Sequence, residues 1–257
     1  MKGIGLPEKG IVYLVGAGPG SPDLLTVRAA RLLGEAQIVF HDALVPREIL
    51  QLAEKAILVP VGKRHGRHST AQAFINKRLL DAARQYQVVV RLKGGDPMLF
   101  GRAQEEISFL KRFNIQVEIV PGITAASAAS ARLGVSLTLR GVSRSVVFAT
   151  PRVGEGEERS AWARAVAAAD TAALYMAAHD AEAVRDELLR AGLPPETPVV
   201  VAENISLADE RITTCRLLEL NRIILENSKP ALLLFGEVFA QEVAAGARIA
   251  LTASQAA

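Results

Sequence analysis

Strand-length apolar runs alternate with helix-length amphipathic stretches along most of this sequence. The first four runs lie at residues 11–15, 37–40, 57–61 and 88–92, and apolar residues at helical spacing fill the intervals. A helix is predicted to start at Ser21-Pro22-Asp23, since serine is a good N-cap and proline suits the first turn. This alternation is typical of βαβ units, so we predict a largely parallel sheet with helices on both faces.

The alternation restarts after Leu139-Arg140-Gly141, where we place a domain boundary. We predict an N-terminal α/β domain over residues 1–140, a C-terminal α/β domain over 141–240 and an alanine-rich tail over 241–257. A chain of 257 residues corresponds to one large domain or two modest ones, at about 150 residues per domain, and the restarted alternation favours two. The predicted fold class is therefore α/β, with two α/β domains whose sheets are mixed and largely parallel.

The composition is typical of a globular protein with packed cores. Half of the residues are hydrophobic and 22% are charged, which supplies enough apolar surface for packed cores. Cys215 is the only cysteine, so we expect no internal disulfide, no thiolate metal cluster and a reducing, cytoplasmic location. The longest apolar runs are strand-sized, so we also expect no membrane span and no secretory leader.

A glycine-rich loop, Gly16-Ala17-Gly18-Pro19-Gly20-Ser21, follows the first predicted strand. Ser21 stands where a dinucleotide fingerprint has its third glycine, and Pro19 removes a backbone N–H that a pyrophosphate would use. Asp42 follows the second strand at the distance of a ribose-binding acid. A tight turn and a ligand-lining loop both remain open, and the pattern as a whole argues against NAD.

Residues 62–68, Gly62-Lys63-Arg64-His65-Gly66-Arg67-His68, form a short basic segment. A solvated loop is the simplest interpretation, and attraction of carboxylates or phosphates is the functional one. Its two histidines lack a third ligand nearby, so we predict no metal site. A nucleic-acid-binding module would depend on this segment and on the pI near 9.2, but a net charge of only +3 and 5% aromatic residues argue against it.

The most informative loop, Lys93-Gly94-Gly95-Asp96-Pro97, follows the strand predicted at 88–92. Paired glycines let the backbone approach a ligand closely, and the aspartate can accept hydrogen bonds from ribose hydroxyls or an amine. Arg102 and Glu105 are three residues apart at a helix start, so they can share one face. A surface ion pair explains these two residues alone but leaves the glycine pair unexplained.

Three further positions are candidates for ligand contacts. Small residues in Pro121-Gly122-Ile123-Thr124-Ala125-Ala126 leave room for a ligand at another strand-to-helix junction, where the Thr124 hydroxyl either caps the helix or binds the ligand. Arg140 lies at the predicted domain junction. Met176 ends a predicted strand, where methionine is more often a core residue but can also face a flat aromatic ligand.

Taken together, these loops resemble a known family. Five stretches in the same order are similar to motifs of the S-adenosylmethionine-dependent tetrapyrrole methyltransferases: VGAGPGSPDLLT at 15–26, VGKRHGRHS at 61–69, RLKGGDPMLFGR at 91–102, VPGITAA at 120–126 and LTLRG at 137–141. The resemblance runs from about residue 11 to 239. Several motifs at consistent spacing are far more specific than any one glycine loop.

The resemblance implies a tetrapyrrole methylase fold, in which S-adenosyl-L-methionine occupies a cleft between two α/β domains, and a homodimer without a metal. Within the family, the motifs are most similar to those of members that methylate uroporphyrinogen III twice to precorrin-2, the branch point toward sirohaem, cobalamin or haem d1. A methyltransferase acting on a later precorrin and, more remotely, an NAD-dependent oxidoreductase are the alternatives. We expect no dehydrogenase or chelatase segment, no nucleic acid and no membrane partner.

The resemblance also implies roles for individual residues. Cofactor contacts are expected at Pro19, Gly94, Gly95, Asp96, Thr124, Ala125 and Met176, with a backbone contact near Ile205. The positions that match catalytic residues are Asp42, Arg102 and Glu105, and those that match substrate contacts are Arg102, Arg140 and Met176. Because uroporphyrinogen III carries eight carboxylates, arginine forks are its expected anchors.

Four stretches of the sequence depart from the family pattern. His41 stands where a tyrosine is common, Ala103-Gln104 replaces a glycine pair, Thr150-Pro151-Arg152 replaces Thr-Gly-His, and Ala177 replaces a glycine. Pro151 and Arg152 change a loop that is expected to touch the substrate. The resemblance therefore supports the cofactor site more strongly than the substrate site.

Overall fold

The structure is a computed structural model that describes residues 9–61, 70–153, 160–177, 180–223, 229–246 and 248–250. The chain divides into two compact units, Met1–Thr124 and Ala125–Ala257. The basic segment at 62–68 lies outside the described residues, so both interpretations of it stay open.

The first unit is built around a five-stranded sheet. Its strands are β1 (Ile11–Gly16), β2 (Ile38–His41), β3 (Ile57–Pro60), β4 (Val88–Lys93) and β5 (Val117–Val120), and its helices are α1 (Val27–Glu35), α2 (Arg47–Leu50), α3 (Thr70–Ala83) and α4 (Ala103–Arg112). The strand order is β3-β2-β4-β1-β5, and every neighbouring pair is parallel. Because all five strands run the same way, their carboxyl ends and the loops that follow them share one edge of the sheet.

Side chains of these strands alternate between two separate cores. On one face Leu14 packs in a cluster with Leu79 of α3 and Leu110 of α4. On the other face Val90 packs with Leu33 of α1, in a cluster that also includes α2. Burial on both faces explains why the strands are nearly continuous apolar runs, and it confirms the predicted arrangement of the N-terminal half.

The first helix begins at Val27, so the predicted start at Ser21 is wrong. Pro22–Leu24 forms only a single 3-10 turn, which ends because Leu25 is extended at φ −69° and ψ 143°. The N-cap of α1 is Thr26, whose Oγ1 accepts a hydrogen bond from the Ala29 backbone N–H at 3.2 Å. Thr26 thereby satisfies one of the N–H groups that a helix start leaves unpaired.

Replacing Thr26 with alanine is expected to lower the free energy of unfolding by about 1 kcal/mol, because this capping hydrogen bond is lost. The Thr26→Ser variant keeps the hydroxyl oxygen and should retain most of the stability. Urea unfolding followed by circular dichroism measures both variants. Equal stability of the alanine and serine variants would show that the cap contributes nothing.

The second unit contains a six-stranded mixed sheet. Its strands are β6 (Val146–Ala149), β7 (Thr171–Tyr175), β8 (Pro198–Glu203), β9 (Arg211–Arg216), β10 (Ala231–Gly236) and β11 (Arg248–Ala250), and its helices are α5 (Ala125–Leu133), α6 (Trp162–Ala168), α7 (Ala181–Arg190) and α8 (Ala240–Ala244). The order is β11-β9-β8-β10-β7-β6, and among the strands that the structure describes only β6 and β7 pair in parallel. The predicted fold class of two α/β domains is confirmed, with the parallel pairing concentrated in the first sheet.

Helix α5 belongs to the second unit, so the division at Thr124 precedes the boundary predicted at 140/141. The Ala126 backbone N–H donates to the Tyr175 hydroxyl at 3.3 Å, and Arg132 pairs with Glu210, next to the start of β9. These contacts join α5 to the second sheet. The change in sequence character near residue 140 marks a turn inside the second unit.

Part of the predicted alanine-rich tail at 241–257 is regular structure. Helix α8 runs into the tail, and β11 then pairs antiparallel with β9, with Ile249 opposite Ile212. Residues 217–222 form a 3-10 helix. None of the helices in the described ranges combines the length and apolar character needed to cross a bilayer.

Candidate active site

Three strand-end loops of the first unit meet above neighbouring strands. They follow β1, β4 and β5, and the strand order places β1 between the other two. The Gly95 backbone N–H donates to the Gly18 carbonyl oxygen at 2.7 Å, and the Gly18 N–H donates back to the Gly95 oxygen at 3.2 Å. The loops after β1 and β4 are thus held together by their own backbones.

Glycine is required where these loops touch. A Cβ at Gly16 would lie 2.6 Å from both the Gly122 Cα and the Gly95 carbonyl oxygen, and a Cβ at Gly122 would overlap the same oxygen. Gly95 differs, because a Cβ there would meet nothing within 4 Å although its φ is +65°. The loops therefore form a closely packed backbone platform with an open side at Gly95, and this geometry lets a ligand lie against the main chain.

Asp96 fastens two of the three loops to each other. Its Oδ1 accepts a hydrogen bond from the Met98 N–H at 2.8 Å, and its Oδ2 accepts one from the Gly122 N–H at 2.9 Å. A carboxylate oxygen has two lone pairs, so these bonds leave capacity for a ligand hydroxyl. Asp96 thus has a structural role that the sequence did not predict, beside the cofactor contact that the family resemblance implies.

Four charged side chains beneath this edge form what we call the buried charge cluster: Arg91, Lys93 and Glu106, which are buried, and Asp42, which is partly exposed. Arg91 contacts Asp42 at 2.5 Å and Glu106 at 3.1 Å, and Lys93 lies 3.3 Å from both carboxylate oxygens of Glu106. Only Asp42 was singled out from the sequence. The signal for Arg91 and Lys93 is the run VVVRLK in β4, since charged residues are rarely buried unless they are paired. Glu106 lies in α4, outside that run.

The environment of Lys93 disfavours the charged form of its ammonium group. Burial lowers the pKa of Lys93, and the nearby Arg91 cation lowers it further, whereas Glu106 and Asp42 oppose both effects. Two cations and two carboxylates balance in formal charge, which is how such groups are tolerated in a core. Glu106 is the common anchor, because it accepts hydrogen bonds from both cations.

Arg102 and Glu105 form a two-pronged ion pair at the start of α4, as their spacing predicts. The Arg102 Nε and Nη2 atoms lie 2.6 and 2.7 Å from the two oxygens of Glu105. The hydrogen bond from Arg102 holds the pKa of Glu105 below its usual value. Both Phe100 and Arg102 have φ of +54°, an uncommon conformation for residues other than glycine. The pair is half-exposed, so it can contact a substrate.

The second unit holds Met176 and Ile205 in loops at one edge of its sheet. Met176 follows β7 and Ile205 follows β8, and both strands run antiparallel to β10 between them. Left-handed residues shape both loops, with φ +57° at Met176, +47° at Asn204 and +69° at Ser206. The Ser206 N–H donates to the buried Glu210 carboxylate at 2.7 Å, so the loop around Ile205 is held in place.

The remaining predicted residues are divided between the units. Pro19, Gly94, Gly95, Asp96 and Asp42 lie in strand-end loops of the first unit, and Arg140 lies in an exposed turn of the second, closed by the pairing of Leu139 with Ser143. Thr124 ends the first unit, and Ala125 begins the second. Within the described ranges, no group of three His, Cys, Asp or Glu side chains could hold a metal ion.

Cys215 lies in the core of the second unit, where burial raises the pKa of its thiol to about 12. We expect the native protein at pH 8 to react with a thiol reagent only as fast as it unfolds, because the thiolate is the reactive form. Release of thionitrobenzoate, with and without denaturant, measures this. Rapid labelling of the native protein would contradict the burial of Cys215.

Residues 11–221 match the family model for tetrapyrrole (corrin/porphyrin) methylases. The siroheme synthase of Psychrobacter sp. (strain PRwf-1) is 43% identical over 232 residues, which are 89% of this chain and 48% of that protein. The chain spans about half the length of the curated relatives it matches.

Two solved structures are similar along nearly their whole length. Uroporphyrin-III C-methyl transferase of Thermus thermophilus, complexed with S-adenyl homocysteine, superposes with a TM-score of 0.80 at 40% identity, covering 90% of this chain and 100% of that one. A cobalt precorrin-4 methyltransferase gives 0.76 at 30% identity, covering 89% of this chain and 95% of that one.

Proposed function

Because the chain belongs to the tetrapyrrole (corrin/porphyrin) methylase family, we propose that it transfers methyl groups from S-adenosyl-L-methionine to two ring carbons of uroporphyrinogen III, giving precorrin-2. The observation that carries the proposal is the backbone platform at Gly16, Gly95 and Gly122, with its open side at Gly95. A similar solved structure, at 40% identity, is that of a uroporphyrin-III C-methyl transferase in complex with S-adenyl homocysteine. It supports the proposed methyl donor and the proposed substrate.

The first unit fits the methyl donor in shape and chemistry. The platform offers main chain without side chains in the way, and Asp96 keeps acceptor capacity beside it for the ribose hydroxyls. We assign the donor contacts to Pro19, Gly94, Gly95 and Asp96, and in the second unit to Ala125, Met176 and the backbone near Ile205. Thr124, which ends the first unit, completes the set.

When bound, S-adenosyl-L-methionine supplies a sulfonium-activated methyl group, so the protein itself needs no nucleophile. The task of the protein is to align the pyrrole carbon with that methyl group at near-attack distance. The substrate carboxylates suit the Arg102 and Arg140 guanidinium groups, since arginine binds carboxylates through two parallel hydrogen bonds. Glu105 keeps the Arg102 guanidinium in one orientation.

Each methylation forms one carbon–carbon bond, breaks the bond between the sulfur and the methyl group, and requires the ring system to lose one proton. Arginine is a poor proton acceptor because it stays charged in proteins. Asp42 is the better candidate, since its carboxylate is partly exposed at the carboxyl end of β2. We assign proton removal to Asp42 and substrate orientation to Arg102 and Glu105.

The proposal is tested by anaerobic incubation with uroporphyrinogen III and S-adenosyl-L-methionine. We expect the absorbance of precorrin-2 to develop only when both are present. In parallel, S-adenosylhomocysteine should raise the melting temperature and NAD should leave it unchanged. A melting temperature raised by NAD but not by S-adenosylhomocysteine would indicate an oxidoreductase. Turnover of a later precorrin instead of uroporphyrinogen III would indicate a methyltransferase that acts later in the pathway.

Three further properties complete the proposal. The sirohaem branch is favoured because the similar curated proteins are named siroheme synthases. A cytoplasmic location fits the unpaired cysteine. A homodimer is what the family resemblance implies, and sedimentation equilibrium of the purified chain tests it, since a monomer at micromolar concentration would contradict that assignment.

A further inference from the structure

One member of the buried charge cluster reaches solvent, and the other three do not. Asp42 is 31% exposed, whereas Arg91 is 3% exposed and Glu106 is fully buried. Asp42 stands at the carboxyl end of β2, and its backbone N–H donates to the Leu92 carbonyl oxygen of β4 at 3.2 Å. The cluster therefore ends at the one carboxylate that can meet a substrate.

The Arg91 guanidinium has a hydrogen-bond partner at each of its three nitrogens. Nη2 donates to Asp42 Oδ1 at 2.5 Å, Nε donates to Glu106 Oε1 at 3.1 Å, and Nη1 donates to the Leu92 carbonyl oxygen at 3.1 Å. A planar group that is hydrogen-bonded on three sides is held in one orientation. Arg91 therefore fixes the position of the Asp42 carboxylate from the buried side.

Glu106 holds this arrangement from inside the core. Its carboxylate accepts hydrogen bonds from Arg91, from the Lys93 ammonium at 3.3 Å and from Gln72 Nε2 at 3.2 Å. Gln72 also donates to Asn76 Oδ1 at 3.0 Å, so residues of α3, α4 and β4 all contribute. The anchor of Arg91 is therefore built into the sheet and into two of the helices that cover it.

A contribution to the stability of the fold does not by itself explain why four charged side chains are placed here. Taking charges out of water is costly, and apolar residues of similar volume often stabilise a core equally well or better. What an apolar core cannot do is hold an exposed carboxylate in one position. We infer that Arg91 is a positioning residue, which acts through Asp42 and is itself oriented by Glu106. This inference rests on the proposed function and on the role assigned there to Asp42.

A double-mutant cycle on kcat for uroporphyrinogen III tests the inference. Asp42→Asn keeps the shape and a hydrogen-bond acceptor but is a far weaker base, so kcat should fall about 100-fold or more. Arg91→Lys cannot reach both carboxylates, and we expect kcat to fall about 10-fold or more with an unchanged KM for S-adenosyl-L-methionine. In the Asp42→Asn background, Arg91→Lys should change kcat by less than about threefold, because its route of action is already gone.

Leu188→Ala is the control for loss of stability. Leu188 is fully buried in the core of the second unit, so the variant should lower the melting temperature without lowering kcat at temperatures where it is folded. If Arg91→Lys does not fold, Glu106→Gln takes its place in the cycle, since it removes the charge that orients Arg91. The same non-additivity is then expected.

Failure of the positioning role and failure of the proposed function give different results. If the wild-type chain makes no methylated product, the proposed function is wrong, whatever the variants do. If the wild type is active, effects of Arg91→Lys and Asp42→Asn that multiply would overturn the positioning role. Full activity of Asp42→Asn would overturn it as well.

Discussion

The Gly122→Ala variant is expected to bind S-adenosylhomocysteine at least about 100-fold more weakly than the wild type. The added Cβ would overlap the Gly95 carbonyl oxygen and lie 2.9 Å from the Gly16 Cα. Gly16 ends β1, and Gly95 lies in the loop after β4. Both atoms belong to the backbone, so the loops must separate to admit one methyl group. Overpacking of this kind costs about 1–3 kcal/mol, and separation also breaks the hydrogen bond from the Gly122 N–H to Asp96.

Isothermal titration calorimetry measures this affinity, and urea unfolding measures the accompanying loss of stability. Gly34→Ala is the matched control, because Gly34 lies inside α1 and an added Cβ would approach only the Leu52 carbonyl oxygen, at 4.0 Å. Alanine in a helix interior stabilises by about 0.5–1 kcal/mol relative to glycine. Wild-type affinity in Gly122→Ala would show that the donor does not bind on these loops.

The Arg102→Lys variant is expected to lose at least about 100-fold in kcat/KM for uroporphyrinogen III. Lysine has a single ammonium group in place of the planar fork, so it cannot reproduce the 2.6 and 2.7 Å hydrogen bonds to Glu105 while presenting a second face to a substrate carboxylate. The affinity for S-adenosylhomocysteine should not change, because Arg102 is assigned to the substrate.

Arg112→Lys on the same helix is the control for Arg102→Lys. Arg112 is exposed at the end of α4, where its Nε donates to the Ser108 carbonyl oxygen at 3.4 Å. We expect Arg112→Lys to have wild-type kinetics and both variants to melt near the wild-type temperature. Near-full turnover by Arg102→Lys at saturating substrate would remove Arg102 from any essential role.

The local sequence pattern predicts most elements but not how they are grouped. Strand β4 was expected at 88–92 and runs over Val88–Lys93, because a continuous apolar run is a property of the segment itself. The assignment of α5 to the second unit depends instead on contacts with Tyr175 and Glu210, far along the chain. No pattern near residues 125–133 carries that information.

In the candidate site, too, the sequence predicts the local features but not the contacts between distant segments. Glycine pairs and strand ends locate the loops, since those signals are local. The need for glycine at position 122 arises from its distance to Gly16 and Gly95, which depends on the strand order β4-β1-β5. The partnership of Arg91 with Glu106 and Asp42 likewise requires three elements to meet. A charged residue inside a buried strand predicts only that some partner exists.

The most direct test of the proposed methyl transfer is mass spectrometry of the product formed from uroporphyrinogen III and S-adenosyl-L-methionine without oxygen. We expect the product to be heavier than the substrate by two added methyl groups, with two molecules of S-adenosylhomocysteine released for each molecule of product. A substrate recovered at its original mass, with no S-adenosylhomocysteine formed by a folded wild-type chain, would contradict the proposal.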